Sequence, residues 1–383
     1  MAGIYVHIPF CKSRCYYCDF YTVTNLKLAD SFFKALTFEI SLRKKMLKNE
    51  KVETIYFGGG TPSLFTPERL QLIIDEIRSN FEIIDSPEIT IELNPDDITP
   101  TYVRKLKATE INRVSLGIQA FYNYHLQLMN RRHKVFGALK SVESLKEEGF
   151  HNISIDLIYG LPEMTMVEWE KTLQKAVNMN IQHISAYHLT YEEGTVFDKL
   201  RKSGMLTPPS DEKSFIQFNT MVDHFEENGF IHYELSNFGR MGRFSKHNVS
   251  YWQNKPYLGI GPSAHSYDGK KRYWNVPDIS KYIRIDKKSD DIQSEEILTE
   301  TDRFNEYIMT GLRTYWGIDL NYIQRMYGQE LSKAIETKLN SFVLSNHVRE
   351  KEQKFYLTRE GMFISDSIAA ELFKEHVEQS SVE

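Results

Sequence analysis

Residues 4–20, IYVHIPFCKSRCYYCDF, decide how the rest of the chain is read. Cys11, Cys15 and Cys18 are the only three cysteines among 383 residues, and they fall within eight consecutive positions. A thiolate is a soft ligand that suits zinc, copper(I) or an iron–sulfur cluster. Three on one short loop can converge on a single inorganic centre without help from distant sequence. Free cysteine also packs as a small hydrophobe, but three unrelated core residues would not crowd into one loop. An odd number of cysteines in one cluster is not a disulfide framework. Thiols kept available as ligands belong in a reducing, cytoplasmic setting.

Outward from the loop, residues 4–8 (IYVHI) read as a strand that ends at Pro9, so the cysteines follow a strand end. Helical spacing over 28–48 finishes in Arg43, Lys44 and Lys45, cations that suit a helix C-terminus. Strand 53–57 then leads through Gly58-Gly59-Gly60 to a helix opened by Thr66 with Pro67 at its first position. The unit repeats at strands 88–93, 112–118, 152–158 and 182–189, each followed by helical spacing. Six strands alternating with helices over the first 200 residues imply parallel pairing with right-handed crossovers. An open doubly wound sheet and an incomplete barrel both satisfy this, and both build their site on loops at the C-terminal strand ends.

Beyond the repeat, a helix at 210–228 and a strand at 231–236 precede an aromatic, glycine-rich passage, 237–276. Residues 285–296 (IDKKSDDIQSEE) read as an exposed charged connection. Helices from 299, the alternating stretch 348–358 and a helix from Glu360 resemble a winged-helix-like module. That module has no concentrated basic face and the chain carries a net charge of −5, so no nucleic-acid partner is expected. The expected division is 1–205, a partial barrel; 206–290, an extension of it; and 291–383, a smaller α+β C-terminal region. No apolar run reaches the 18 or so residues of a membrane helix. MAGIYVHIPF enters a strand pattern directly, without a cationic apolar leader.

Several polar residues fall at or beyond strand ends. Glycines such as Gly59 and Gly60 let backbone amides approach a ligand, although a tight strand–helix turn explains them equally well. Glu92 in IELNP is placed to bind hydroxyls, with capping or solvent exposure as the alternative. Gln119 closes the strand SLGIQ, and Arg131 follows in MNRRH. Asp156 lies inside the apolar strand ISIDLIYGLP, where a carboxylate is costly unless it is paired or engages a ligand. Arg131 is the obvious candidate for such a pair. A zinc site would need a fourth ligand such as His7 or Asp19.

Together the motifs YVHIPFC, YFGGGTPS, IELNP, SLGIQAF, SIDLIYGLP and GIGPSAHSY, spanning 5–267, resemble the radical SAM superfamily. Within it they resemble the oxygen-independent coproporphyrinogen III oxidase group. The resemblance implies an incomplete (β/α)6 TIM-like barrel. It also implies a [4Fe-4S] cluster on Cys11, Cys15 and Cys18, whose fourth iron is open to S-adenosylmethionine. One-electron transfer in such proteins cleaves that cofactor to an adenosyl radical. In the same resemblance Tyr5, Tyr17, Gly59, Gly60, Thr61, Glu92, Gln119, Arg131 and Asp156 contact one or two S-adenosylmethionine molecules.

Two features separate this chain from the oxidase. The oxidase has a further cysteine two positions after the third, and this chain has Phe20 there. His247-Asn248-Val249-Ser250-Tyr251-Trp252 matches the HNxxYW motif of the heme-chaperone branch of the group. Imidazole is a common axial ligand of heme, so His247 is the candidate heme contact and His265 a second one. The function this implies is a heme chaperone that delivers heme to respiratory heme proteins. It assigns the chain no catalytic residue, and it admits peripheral membrane contact and a cluster-dependent dimer. The alternative is the oxidase reaction, decarboxylation of two propionates of coproporphyrinogen III to vinyl groups.

Overall fold

A computed structural model describes residues 1–285 and 292–375. The chain divides into two units. The first holds Met1–Ile231, Ser236–Ser250 and Lys255–Glu296; the second holds His232–Leu235, Tyr251–Asn254 and the chain from Ile297. Most of the expected 206–290 extension thus belongs to the same unit as the β/α repeat.

The repeat runs β1 (Ala2–Ile8), α1 (Ala29–Leu42), β2 (Val52–Gly59), α2 (Pro67–Asn80), β3 (Ile83–Leu93) and α3 (Pro100–Lys107). It continues with β4 (Arg113–Gln119), α4 (Asn123–Leu128), α5 (Val135–Glu147), β5 (Ile153–Tyr159), α6 (Met166–Asn178), β6 (His183–His188) and α7 (Val196–Lys202). Then come α8 (Asp211–Glu227), β7 (Ile231–Glu234), β8 (Asn237–Gly239), α9 (Lys246–Trp252), β9 (Tyr257–Ile260), β10 (His265–Tyr267), β11 (Lys271–Asn275), α10 (Ile279–Tyr282) and β12 (Gln293–Ile297). Helix starts follow local chemistry. Thr66, Thr99 and Ser210 accept hydrogen bonds from the first turns of α2, α3 and α8, and Thr165 with Glu168 forms a capping box on α6.

Strands β1 to β6 pair in parallel and in chain order. The sheet does not close. Strand β9 adds in parallel beside β1, followed by antiparallel β10 and β11, and β8 adds antiparallel beside β6. The aromatic passage after residue 236 therefore supplies sheet edges. Of the charged connection, 286–291 lie outside the described residues, whereas β12 is a mostly exposed strand.

Parallel strands covered on both faces usually read as continuous apolar runs; these alternate. Ile4, Val6, Ile55, Phe57, Ile91, Val114, Leu116, Ile155, Leu157 and Ile184 have no exposed surface. Burying each such side chain stabilises the fold by about 1.5–3 kcal/mol. The intervening positions share the other face and are polar. Tyr5 pairs with Tyr56, Tyr56 with Thr90 and Thr90 with Arg113 across β1 to β4. Glu92 pairs with Ser115, Ser115 with Ser154, and Asp156 with Ser185 across β3 to β6. A closed β/α barrel fills its interior with Val, Ile and Leu. This open one has a polar inner face, the surface on which a polar cofactor can sit.

The second unit contains α11 (Glu300–Leu312), β13 (Ile318–Asp319), α12 (Leu320–Tyr327), α13 (Gln329–Leu344), β14 (Val348–Lys351), β15 (Lys354–Leu357), α14 (Arg359–Phe363) and α15 (Ser365–Leu372). The hairpin β14–β15 and β13 form an antiparallel sheet over a core that includes Phe304, Ile308, Leu339 and Phe355.

Candidate active site: a cysteine loop over a polar pocket

The cysteine loop is fixed mainly through its backbone. A bridge joins Phe10 to Val23, with Cys11 N donating to Val23 O (3.0 Å) and Val23 N to Pro9 O (2.7 Å). Tyr16 N donates to Met129 O, Phe197 N to Tyr16 O, and the Asn130 amide to Arg14 O. His7 Nε2 bonds the Tyr21 carbonyl at 3.0 Å and its Nδ1 faces the Tyr5 hydroxyl at 3.1 Å. Both ring nitrogens are thus engaged and burial lowers the pKa to about 4. His7 holds the end of the loop, which leaves a zinc site without that fourth ligand.

Each sulfur has a donor beside it. The Thr61 hydroxyl lies 3.4 Å from Cys11 Sγ, and Arg131 Nη1 donates to Cys15 Sγ at 3.5 Å. The Phe20 backbone lies beside Cys18. Burial pushes the Cys11 thiol up and the Cys18 thiol up to about 11. Coordination by a metal, which removes a thiol proton outright, is the natural way for these groups to ionise.

The loop covers one end of a pocket of about 600 Å³, within the range of small-molecule sites. Cys11, Cys15, Tyr17, Cys18, Gly59, Gly60, Thr61, Glu92, Gln119, Arg131 and Asp156 all line it. The glycines have steric reasons of their own. A Cβ at Gly59, where φ is +106°, would stand 2.4 Å from His7, and one at Gly60 would stand 2.6 Å from the Pro9 backbone. Gln119 adopts φ +69°, a strained conformation for a residue with a side chain.

Glu92 accepts from the Tyr56 hydroxyl (2.9 Å) and from Gly59 N (3.2 Å). Burial, reinforced by nearby Asp156, raises its pKa to about 7. Asp156 accepts from Ser115 Oγ at 3.0 Å and from Ser185, and burial pushes it up as well. Arg131 does not pair with it; its Nη2 donates to the Gly117 carbonyl at 2.7 Å, and its Nε is buried without a partner. Three thiols on one rigid loop, donors at the sulfurs, and carboxylates continuing down the pocket fit a cluster with a hydroxyl-rich, charged cofactor beside it.

Besides His7, three candidate residues lie outside the pocket lining. Tyr5 sits deeper on the inner face, with its ring 6.1 Å from that of Tyr56. His247, 1% exposed, lies at the opposite end of the strands. Its Nδ1 bonds Thr54 Oγ1 at 2.7 Å, its backbone N–H reaches Glu88 at 3.2 Å, and its ring stacks on Tyr56 at 5.0 Å. Burial lowers its pKa to about 3. His265 is exposed on β10 and stacks with Trp274 at 6.2 Å. Conversely, Tyr187, His188, Thr190 and Ser236 line the pocket although no motif marked them. For Tyr187 the inner-face alternation His183, Ser185, Tyr187 in β6 was a usable signal.

A glycine-braced cysteine loop at the C-terminal edge of an incomplete β/α barrel is the arrangement of the radical SAM superfamily, whose model matches residues 5–176. A second model, the HemN C-terminal domain, matches 298–364. Heme chaperone HemW of Lactococcus lactis subsp. lactis is 33% identical over 373 residues, 95% of each chain. That of Bacillus subtilis is 32% identical over 372 residues, 96% of this chain and 98% of its own. The chain belongs to the HemW heme-chaperone family of radical SAM proteins. The solved coproporphyrinogen III oxidase HemN of Escherichia coli has the same fold, with a TM-score of 0.83, 23% identity, and coverage of 97% of this chain and 90% of that one.

Proposed function

We propose that the protein is a heme carrier that holds a [4Fe-4S] cluster on Cys11, Cys15 and Cys18, binds S-adenosylmethionine beside it, and passes heme to respiratory heme proteins. The observation that carries this reading is the pocket itself, which runs from the three thiols to Glu92, Gln119, Arg131 and Asp156. It sits in a chain similar along 95% of its length to a protein named a heme chaperone.

In this reading Glu92 and Asp156 accept from cofactor hydroxyl and amino groups, and Arg131 offers its unpartnered Nε to a carboxylate. Gly59 and Gly60 bring backbone close to the ligand, Tyr17 and Thr61 flank the cluster, and Tyr5 supports the floor through His7 and Tyr56. When bound, the cluster and cofactor supply one-electron chemistry; the chain supplies position and exclusion of water. Heme contact at His247 would have to form at a ring that is buried, bonded through Nδ1 to Thr54 and stacked on Tyr56. No described helix is long and apolar enough to cross a membrane, and delivery to membrane enzymes would proceed from the cytoplasmic side by peripheral contact.

Anaerobic reconstitution with iron and sulfide should load about four irons per chain with broad absorption near ~400 nm, and Cys→Ala at any of the three positions should abolish it. Hemin titration should then give a Soret band. Coproporphyrinogen III incubated with reductant and S-adenosylmethionine should stay unchanged. Formation of vinyl product would overturn the carrier reading in favour of the oxidase.

A further inference from the structure

One stretch of the cysteine loop is not held by its backbone. Cys11 is anchored to Val23, while Arg14 and Tyr16 are held by Asn130 and Met129. Between these anchors, among the described residues, Lys12 and Ser13 make a single hydrogen bond: Lys12 Nζ donates to Asp97 Oδ1 at 2.7 Å. The lysine side chain is 43% exposed and the aspartate side chain 4%.

The same carboxylate serves two other segments. Its Oδ2 accepts from Ser63 Oγ at 3.0 Å, and its Oδ1 lies 3.7 Å from Arg132 Nη2. Each partner stands within two residues of a group at a sulfur. Lys12 follows Cys11, Ser63 comes two positions after Thr61, and Arg132 follows Arg131. Thr61 and Arg131 are the donors beside Cys11 and Cys15. Asp97 itself is not part of the pocket lining, so whatever it does for the site it does through these neighbours.

The turn that carries Asp97 is rigid. It is a 3-10 turn, Pro95–Asp97, directly after β3. Asp97 N donates to Asn94 O at 2.9 Å, Asp96 N to Asn94 Oδ1 at 3.3 Å, and Ser141 of α5 to the Pro95 carbonyl at 3.1 Å. Ser63 Oγ also accepts from Asn94 N at 3.1 Å, which locks the glycine turn to the same element. An aspartate that served only its own turn would accept from the N–H groups around it. The three side-chain partners of Asp97 all lie at least 34 positions away in the chain. Bonds between ionised groups are also stronger than neutral ones, and here the acceptor is shielded from water.

We propose that Asp97 is the positioning residue of the cluster site: it clamps the cysteine loop through Lys12 against the glycine turn and the Arg131 segment, so that Cys11 and Cys15 meet one centre with their donors in place. This rests on the reading of the three cysteines as cluster ligands and adds to it a residue outside every motif that marks the site.

The test compares full-length wild type with Asp97→Asn, Lys12→Met and the double variant. In metal-free protein, hydrogen exchange across residues 11–18 should be about five-fold faster in each single variant. After reconstitution, loss of iron to a ferrous chelator should accelerate similarly. The double variant should be no faster than Asp97→Asn alone, because both changes break one tie. The urea midpoint of Lys12→Met should stay at the wild-type value, which separates a clamp on the loop from a general contribution to stability. Exchange in Lys12→Met equal to wild type would overturn the proposal, as would single effects that multiply in the double variant. Wild type that takes up no iron and sulfide would overturn the cluster reading, while the exchange comparison in metal-free protein still decides for or against the clamp.

Discussion

At the scale of single residues, Thr61 and Arg131 join two tasks. Each faces the pocket and each places a donor at a cysteine sulfur, 3.4 Å and 3.5 Å away. Donors to cluster sulfurs stabilise the reduced, more negative state and raise the potential. Thr61→Val and Arg131→Gln should therefore shift the cluster midpoint to more negative values. The arginine variant should shift further, because it also removes a positive charge; redox titration followed by electron paramagnetic resonance reads this directly. Glu92 yields a second prediction. Its pKa of about 7 stands above the ordinary 4.5, so the folded chain binds its proton more tightly than the unfolded chain does. The stability this provides is present below pH 4.5 and is lost as pH rises through 7, an effect of up to about 3 kcal/mol. In cofactor-free protein, Glu92→Gln should be more stable than wild type at pH 8, with the gap closing by pH 5. Urea unfolding at the two pH values measures it, and a gap that widens on acidification would refute the assignment.

At the scale of elements, α1 is tied to the added sheet edge by one buried carboxylate. Glu39 has no exposed surface and accepts from the Tyr282 hydroxyl (2.6 Å), the Asn275 amide (2.7 Å) and Gly261 N (2.9 Å), with Arg43 at 3.6 Å. Gly261 in turn packs so closely on β1 that a Cβ would stand 2.5 Å from the His7 carbonyl. Glu39 thus fixes the β9–β10 turn against the strand that launches the cysteine loop. Glu39→Ala strands several buried donors and should cost about 3 kcal/mol, seen as a lowered urea midpoint. Loosening of the loop should appear as faster hydrogen exchange at Cys11 and Val23. Of the groups in this tie only Gly261 falls in a sequence motif, GIGPSAHSY, and the tie itself is not legible because its partners are separated by more than 200 positions.

At the scale of the whole molecule, buried neutral histidines set the response to acid. Burial lowers His7, His133 and His232 to about 4 and His247 to about 3. A base held below its unfolded value of 6.5 contributes stability above pH 6.5, and that stability is lost as pH falls towards the folded value. Each contributes on the order of 3 kcal/mol across that window, and four together approach the whole stability of a typical domain. This outweighs the opposite trend of Glu92. Cooperative acid unfolding should therefore occur between pH 6.5 and 4 in far-UV circular dichroism, and native structure persisting below pH 4 would contradict it.

Much of the site was legible from local sequence. Cysteine spacing and the strand alternation are short-range properties: a pleat of period two sends Glu92 and Asp156 to the inner face whatever lies elsewhere, and a strand end delivers the loop after it to one rim. Their neighbours were not legible. Gly59 reads as a ligand-binding glycine, yet its backbone is also required by the His7 ring. Arg131 reads as a partner for Asp156, yet Ser115 and Ser185 serve that carboxylate and leave the guanidinium to Cys15. Only the tertiary structure decided which histidine shares the pocket. His247 follows the repeat, and the chain after β8 carries it to the N-terminal ends of β1 and β2, where Thr54 takes its imidazole. His188 ends β6 at the pocket rim, but register turns its ring to the helix side, against Tyr159 and Ser214. A strand fixes the direction of its side chains locally, but the end of the sheet at which a later segment docks is set by contacts between residues far apart in the chain.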